Sequence, residues 1–276
     1  MNILPIFDPE KAGRPMRVAA FMSGSGTNII KLIELEKTLN RKEGVSPFEV
    51  VFIFSDRSDG SCRGERIAHE NSIPYFSYDI RAFHLKRKAK RTVNSPEGLS
   101  LRKDFDNVAA RLVRTFEIDV NALGGYMSYI TLDRCINVHP ADLSILTPDD
   151  KRRFVGDHAV LDAILAGERT LCASTFWTDQ GVDTGPLLMI SNPLKVDLPE
   201  SPESLSQDKS RLGRIVEQYQ ERLKKEGDWK IFPRTIELIS RGRFALDEEN
   251  RVYMDGRPLP HGYREKGSDS ASKMSL

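Results

Sequence analysis

A short apolar segment of the sequence ends in two polar residues, in the order Cys135–Ile136–Asn137–Val138–His139, and is followed by Pro140. In an extended chain, residues two positions apart point the same way, so Asn137 and His139 would share one face. Pro140 favours an extended conformation for His139, which places the pair at the end of a strand. Because ligands of α/β sheets bind beyond the carboxyl ends of strands, the pair is a candidate for catalysis.

An acidic loop, TDQGVDTGP at 178–186, supplies the second group of candidates, Asp179 and Asp183. Taken alone, such aspartates are typical of turns, and a lone histidine after a strand is typical of a structural residue. Together, the aspartates, His139 and Asn137 predict a catalytic site. A carboxylate near His139 would raise its pKa and keep it protonated near neutral pH. Asn137 beside that imidazolium would add a second donor for an oxyanion. Since no serine or cysteine nucleophile accompanies them, the set predicts direct attack of a substrate amine on an acyl carbon.

The third group is the segment SGSGTN, at 23–28, between an apolar segment and a helical pattern. Small residues allow a ligand to approach the backbone closely, and amides at a helix N-terminus favour an anion. The spacing Gly24-x-Gly26 is that of a dinucleotide-binding turn, but Ile29 stands where the third glycine belongs, and no P-loop lysine follows. Two interpretations of this segment stay open. It is a phosphate-binding site, or it is a glycine-rich turn that binds no ligand and in which Thr27 or Asn28 caps the helix.

The composition describes a soluble globular chain of 276 residues, with 39% hydrophobic and 29% charged residues and a formal net charge of +1. That charge provides no general reason to bind nucleic acid. The 3 cysteines lack a CxxC spacing, and Cys135 and Cys172 lie in apolar strand-like segments, which favours buried free thiols at these two positions. A sparse, odd number of cysteines favours a reducing cytoplasm. We expect a cytoplasmic protein, because no apolar run is long enough for a membrane span and the N-terminus lacks the pattern of a signal peptide.

Strand-like and helix-like segments alternate along the chain and must position these groups. The apolar segments are MRVAAFM, FEVVFIF, PYFSYDI, IDVNALGGY, CINV and LCASTFW. Continuous apolar strands separated by helical patterns predict an α/β fold, a Rossmann-like, mostly parallel, doubly wound sheet. A basic insertion follows the third strand at 81–98. Beyond Leu198 we expect a polar helix over 201–227, a second over 232–240 and a terminal hairpin, RFALDEENRVYMDG.

The ordered motifs of this sequence resemble the folate-dependent formyltransferases, and most of all those that formylate glycinamide ribonucleotide. The matching segments run in the family's order from about Arg17 to Tyr263: SGSGTN, GGYMSYIT, NVHP, VGDHAVLDAILAGE, DTGP and DGRPLPHGY. The resemblance implies that 10-formyltetrahydrofolate is the formyl donor, that a primary amine carrying a phosphate is the acceptor, and that no metal is needed. It also implies a monomer or homodimer.

The resemblance divides the chain into an N-terminal extension (1–15), a formyltransferase domain (16–263) and a flexible tail (264–276). Within the domain, a nucleotide-binding half covers about 16–125 and a folate and catalytic half about 126–263.

Site residues follow from the same resemblance, position by position. The implied catalytic residues are Asn137, His139 and Asp183. The implied substrate-binding residues are Gly26, Thr27 and Asn28 at the phosphate, with Lys225 and Asp228 at the phosphoribosyl amine. The implied folate-binding residues are Arg102, Tyr126, Met127, Ser128, Tyr129, Ile130 and Asp179.

Several positions depart from the family pattern. The loop after His139, at 141–156, is longer and charged, Thr175 stands where histidine is frequent, and Asp228 replaces a glutamate. The insertion 81–91 has no counterpart, and its cations could attract a polyglutamate tail or another anion, or form a solvated charge run. Alternative functions are formylation of an amino sugar nucleotide or methionyl-tRNA, a folate-binding protein without catalysis, and a nicotinamide-dependent oxidoreductase.

Overall fold

The computed structural model describes residues 2–265. Its strands, in chain order, are β1 (Leu4–Pro5), β2 (Met16–Met22), β3 (Phe48–Ser55), β4 (Tyr75–Ser77), β5 (Val120–Leu123), β6 (Cys135–His139), β7 (Thr170–Leu171), β8 (Ser174–Trp177), β9 (Leu187–Ile190), β10 (Leu194–Lys195), β11 (Phe244–Leu246), β12 (Val252–Met254) and β13 (Arg257–Pro258). Its α-helices are α1 (Pro9–Ala12), α2 (Thr27–Glu43), α3 (Gly64–Asn71), α4 (Ile80–Lys86), α5 (Pro96–Thr115), α6 (Ala159–Leu165), α7 (Pro202–Ser206), α8 (Lys209–Leu223) and α9 (Trp229–Ser240). A π-helical turn, Lys224–Asp228, joins α8 to α9.

The central sheet has 7 strands in the order β4-β3-β2-β5-β6-β8-β9. Every neighbouring pair from β4 to β6 is parallel, whereas β8 is antiparallel to β6 and β9 is antiparallel to β8. Side chains of β2 alternate between two cores: Val18 and Ala20 pack in one, Ala19 and Phe21 in the other. Burial of both faces explains why β2 is continuously apolar from Val18 to Met22. The expected mostly parallel, doubly wound sheet is confirmed.

The carboxyl ends of the parallel strands meet at one edge of the sheet. Phe21 of β2 pairs with Leu123 of β5, and Leu123 pairs in turn with Asn137 of β6. The turn that follows β2 and the polar end of β6 therefore lie at the same edge, separated by one strand. This places the SGSGTN segment and the Asn137–His139 pair in one region of the molecule.

The N-terminal segment was expected to be an extension at 1–15, and its described residues, 2–15, pack against the domain. Strand β1 pairs antiparallel with β11, which extends the terminal hairpin β11–β12 to a four-stranded sheet with β13. Ile6 and Phe7 are buried in the main core. Burial of these two side chains removes apolar surface from water and so stabilises the packing of the segment against the core.

The expected flexible tail, 264–276, lies mostly outside the described residues, but its first two residues are bound to the domain. Arg264 donates to a carboxylate oxygen of Asp142 and, at 3.0 Å, to the carbonyl of Ser191. Glu265 pairs with Arg234 at 2.6 Å. The ordered domain thus continues beyond the expected boundary at 263. Within residues 2–265, no helix combines the length and the apolar character needed to cross a membrane.

Two helical regions also differ in detail from the expectation. The insertion 81–98 is half helical, since α4 continues to Lys86, and α5 already starts at Pro96 with Ser95 as its cap. The polar helix expected over 201–227 is divided into α7, α8 and the π-helical turn.

Candidate active site

His139 lies at the end of β6, and its side chain contacts Asp183 of the loop between β8 and β9. Nδ1 of His139 is 3.4 Å from Oδ2 of Asp183. On the other side of the ring, Nε2 lies 3.2 Å from the carbonyl oxygen of Phe154. Only 6% of His139 is exposed. The structure therefore brings together two of the three expected catalytic residues, which are separated by 44 positions in the sequence.

The direction of β8 explains how Asp183 reaches this histidine. Because β8 runs antiparallel to β6, the loop after Trp177 starts beside the beginning of β6, where the Thr178 amide donates to the carbonyl of Cys135 at 2.9 Å. The loop must then return along β6 to its end. Asp183 adopts a left-handed backbone conformation, with φ of 54°.

The charge state of His139 differs from the sequence-based expectation. Burial lowers the pKa of His139 and outweighs the Asp183 carboxylate and the Phe154 carbonyl, both of which raise it. Burial of the ring therefore opposes the effect that the sequence analysis expected from Asp183, which does act to raise the pKa of His139. Both ring nitrogens nevertheless face acceptors, so an imidazolium would find a hydrogen-bond partner on each side.

Asn137 shares a strand face with His139, as the alternation of β6 requires. Its Oδ1 accepts a hydrogen bond from the Val138 amide at 2.9 Å. This bond turns the side-chain amide so that Nδ2 remains without a partner in the described part of the chain. Nδ2 can therefore donate to a ligand bound over the end of β6.

The long loop 141–156 closes over the His139–Asp183 pair. The Gly156 amide donates to Oδ2 of Asp183 at 2.9 Å. The guanidinium of Arg152 donates to the carbonyl oxygens of Asp183 and Gly185, the second at 2.6 Å. These contacts, together with the Phe154 carbonyl, bury the histidine. Sequence reasoning noticed the extra length and charge of this loop but assigned no role to its residues.

The N-terminus of α2 forms the expected turn at 23–28. Gly26 is the N-cap, with φ of 68°, and no side chain caps the helix. The alternative of Thr27 or Asn28 as helix cap is therefore wrong. A Cβ atom on Gly26 would lie 2.4 Å from Cε of Met22 and 2.7 Å from Cδ1 of Ile67, so only glycine fits. Oδ1 of Asn28 is buried and has no hydrogen-bond partner among residues 2–265.

Asp228 ends the π-helical turn and is 6% exposed. Its Oδ1 has no hydrogen-bond partner in the described part of the chain. Burial raises the pKa of Asp228 to about 7, against the smaller opposing effect of Lys224. The next residue, Trp229, has its ring centroid 6.0 Å from Nζ of Lys31 in α2, so the start of α9 lies alongside α2. Lys225 is exposed on the same turn.

Arg102 was expected to contact the folate, but the structure engages its guanidinium within the protein. It forms two hydrogen bonds to Asp106, at 3.0 and 2.6 Å, and a third to the hydroxyl of Tyr126 at 3.1 Å. Asp106 also accepts from the amide and the hydroxyl of Thr131, each at 2.8 Å. Arg102 is 3% exposed. It therefore positions both ends of the 126–130 loop instead of facing a ligand.

The 126–130 loop presents side chains in different directions. Met127 is 67% exposed, Tyr126 and Ser128 are buried, and Ile130 is half-buried. The hydroxyl of Tyr129 donates to the carbonyl of Gln180 at 2.8 Å and joins this loop to the loop 178–186.

Asp179 shapes the loop 178–186, because its Oδ1 accepts from the amide of Gly181 at 2.9 Å and from the hydroxyl of Thr184 at 2.6 Å. In the same loop, Val182 is 61% exposed.

Within residues 2–265, no three histidine, cysteine or acidic side chains group in a way that could hold a metal ion.

Comparison with known proteins gives a consistent result. The family model described as "Formyl transferase" matches residues 16–216. Trifunctional purine biosynthetic protein adenosine-3 of Gallus gallus is 24% identical over 245 residues, a match that covers 86% of this chain and 20% of that protein. The chain thus spans about a fifth of the length of that relative. Phosphoribosylglycinamide formyltransferase of Mycobacterium tuberculosis is 28% identical over 181 residues, covering 63% of this chain and 69% of that protein. A solved structure of phosphoribosylglycinamide formyltransferase from Coxiella burnetii shares the fold, with a TM-score of 0.61 and 22% identity over 92% of this chain and 100% of that chain.

Closure of the loop 141–156 can be tested through Arg152. Hydrogen bonds to charged groups contribute about 1.5–3 kcal/mol each, so Arg152→Ala should speed hydrogen exchange of the Gly156 amide by ~10-fold or more. His139 should also react faster with diethyl pyrocarbonate, measured by mass spectrometry of its peptide. Lys151→Ala, an exposed neighbour, is the control. Unchanged rates in Arg152→Ala would show that other contacts hold the loop.

The buried carboxyl of Asp228 predicts a pH-dependent stability. Its folded-state pKa lies above the value of the unfolded chain, so its stabilising contribution is complete at low pH and is lost as the pH rises to about 7. Asp228→Asn removes this loss. The free energy of unfolding of Asp228→Asn minus that of the wild type should increase by about 1.4 kcal/mol per pH unit from pH 5 to about 7. Above that pH the difference should be constant. Urea denaturation at several pH values measures this difference, with Glu226→Gln as control. A difference independent of pH would contradict burial of Asp228 as the cause.

Proposed function

This chain belongs to the formyl transferase family, and we propose that it transfers a formyl group from 10-formyltetrahydrofolate to the primary amine of glycinamide ribonucleotide. The observation that carries the proposal is the contact of His139 with Asp183 beside an unpartnered amide of Asn137. The relative of M. tuberculosis carries this activity in its name, at 28% identity. The assignment of the acceptor rests mainly on the chemistry of the site.

The chemistry needs no covalent intermediate with the protein. The amine nitrogen attacks the formyl carbon, the carbonyl oxygen becomes an oxyanion, and its collapse breaks the bond to N10 of the folate. One proton passes from the amine to N10. Asn137 and His139 would donate to the oxyanion, and Asp183 would support the positive charge on His139. Burial raises the pKa of the thiols of Cys135 and Cys172, which makes both poor nucleophiles.

Opening of the loop 141–156 would change the charge of His139. Burial is the largest cause of its lowered pKa, while Asp183 acts in the opposite direction. If Phe154 and Arg152 withdraw, water reaches the ring and the effect of burial weakens, whereas Asp183 remains in contact. His139 would then take up a proton when substrates enter, as a general acid requires.

The phosphate of the acceptor would bind at the N-terminus of α2. Backbone amides of Thr27 and Asn28 carry the positive end of the helix dipole, and Gly26 permits close approach. Turned over, the side-chain amide of Asn28 would also offer Nδ2 to the anion. The site is separated from Asn137 by a single strand, β5, which suits a ligand that places its phosphate and its amine at neighbouring strand ends.

Asp228 and Lys225 would contact the ribosyl part of the acceptor. α9 lies against α2, which places the unpartnered Oδ1 of Asp228 beside the helix proposed to hold the phosphate. A hydroxyl of the ribose could donate to this oxygen. Aspartate is one methylene shorter than the glutamate usual in the family, so the contact would shift or pass through a water molecule.

The folate would lie along the 126–130 loop. The exposed apolar side chains of Met127 and Val182 belong to the two loops joined by Tyr129 and Gln180, and they suit a pteridine ring. Backbone groups of Tyr126, Ser128 and Ile130 would complete the pocket. Arg102 and Asp179 would act indirectly, through the conformations of the two loops.

Substitution of Asp183 tests the catalytic assignment. Asp183→Asn keeps the shape of the side chain but removes the charge that supports an imidazolium, so turnover should fall by ~10²–10⁴-fold. Equilibrium binding of 10-formyltetrahydrofolate should change little. Asp149→Asn, in the exposed part of the loop 141–156, is the matched control. Full turnover in Asp183→Asn would remove Asp183 from the mechanism.

The acceptor is identified by measuring consumption of 10-formyltetrahydrofolate with a panel of amines, namely glycinamide ribonucleotide, an amino sugar nucleotide and methionyl-tRNA. We expect glycinamide ribonucleotide to be used. Asp228→Ala should raise KM for this acceptor more than it lowers kcat, as expected for loss of a ground-state contact. An unaltered KM would make Asp228 a purely structural residue. Formylation of another amine only would replace the acceptor, and no transfer to any amine would indicate a folate-binding protein without catalysis.

A further inference from the structure

The basic insertion of this chain is held against the 126–130 loop. After α4 ends, Lys88 adopts a left-handed conformation, with φ of 51°, and the chain reverses. The guanidinium of Arg91 then lies 3.3 Å from the hydroxyl of Ser128. Ser128 in turn donates to Oδ2 of the buried Asp56, whose Oδ1 has no partner in the described part of the chain. The insertion is thus connected directly to the loop proposed to hold the folate.

The insertion also has internal contacts that fix its cations in space. The side chain of His84 is buried under the turn, and the guanidinium carbon of Arg87 lies 3.7 Å from the centroid of the Phe83 ring. Ser95 caps the following helix α5 through the amide of Gly98 at 3.1 Å. The charges are therefore carried by a folded segment instead of an extended loop.

The charge of this segment is not neutralised within the protein. Residues 80–96 contain six lysines and arginines and no acidic residue. Arg81 pairs with Asp59 at 3.4 Å. The other five have no acidic partner within 4.0 Å in the part of the chain that the structure describes, and all are exposed: Lys86, Arg87, Lys88, Lys90 and Arg91. Such a concentration of unpaired cations attracts a polyanion.

We propose that this basic cluster binds the poly-γ-glutamate tail of the folate donor. The inference rests on the proposed function. The 126–130 loop has two neighbours, the loop 178–186, reached by Tyr129, and the insertion, reached by Ser128. If the pteridine ring of a folate lies beside the loop 178–186, the glutamate end of the folate is directed toward the insertion. Each additional glutamate brings one carboxylate to five cations that have no acidic partner among the described residues.

The orientation explains why the two ends of the loop have different chemistry. The exposed apolar side chain of Val182 belongs to the loop 178–186, which Tyr129 contacts. Exposed cations occupy the other end, where Arg91 already contacts Ser128. A ligand with an uncharged ring at one end and a chain of carboxylates at the other matches this arrangement.

Equilibrium binding of the monoglutamate and pentaglutamate forms of 10-formyltetrahydrofolate, without acceptor, tests the proposal. Exposed ion pairs contribute about 0.2–1 kcal/mol each, so the pentaglutamate should bind ~10-fold more tightly to the wild type at low salt. The preference should decline at high salt. In Lys86→Gln/Lys90→Gln/Arg91→Gln the preference for the pentaglutamate should fall to about twofold or less. Lys37→Gln/Arg41→Gln/Lys42→Gln, which removes three exposed cations at the far end of α2, should keep the preference.

A second variant separates the tail site from the loop. Lys86→Gln/Lys90→Gln retains Arg91 and its contact with Ser128, so a reduced preference there cannot come from a displaced 126–130 loop. Equal affinity of the wild type for both folates, or an equal loss of preference in the control variant, would overturn the proposal while folate binding stands. Failure of both folates to bind the wild type would overturn the proposed function itself.

Discussion

The structure of the site depends on keeping the imidazole of His139 and the carboxylate of Asp183 in contact with each other and shielded from water. His139 and Asp183 are each less than a tenth exposed, and each has further partners, the Phe154 carbonyl and the Gly156 amide. Because β8 runs antiparallel to β6, Trp177 pairs with Ile136, and the loop after β8 must run along β6 before Asp183 reaches His139.

The same burial that assembles the pair also opposes its charged form. Burial lowers the pKa of His139 more than Asp183 raises it, and the loop 141–156 is what completes the burial. Arg152 connects that loop to the carbonyls of Asp183 and Gly185. The long loop therefore both covers the ring of His139 and contributes to the burial that lowers its pKa.

Local patterns in the sequence were sufficient for the strands β2, β3, β4, β5, β6 and β8 and for the terminal hairpin, but not for β1, β9 or β10. Long-range geometry was not accessible in this way. A continuous apolar run is the same in a parallel and an antiparallel strand, so the direction of β8 could not be read from LCASTFW. Pairing of β1 with β11 joins residues more than 200 positions apart. For Arg102, the i,i+4 spacing to Asp106 was visible in the sequence, but its bond to Tyr126 was not.

Asp228 and the π-helical turn are best understood together. The turn packs closely on the sheet, since a Cβ on Gly227 would lie 2.9 Å from Cβ of Ala173, and this brings Asp228 into the interior. A buried acceptor without a donor costs about 1–3 kcal/mol, and the fold keeps it at the start of α9. Oδ1 of Asn28 at the start of α2 is in the same condition. Both atoms are unfavourable in the protein alone, and a ligand hydroxyl that reached either of them, as proposed above for the acceptor, would relieve that cost. The shorter aspartate keeps this property, because burial and the missing donor depend on where the turn places the carboxyl, and one methylene changes only its reach.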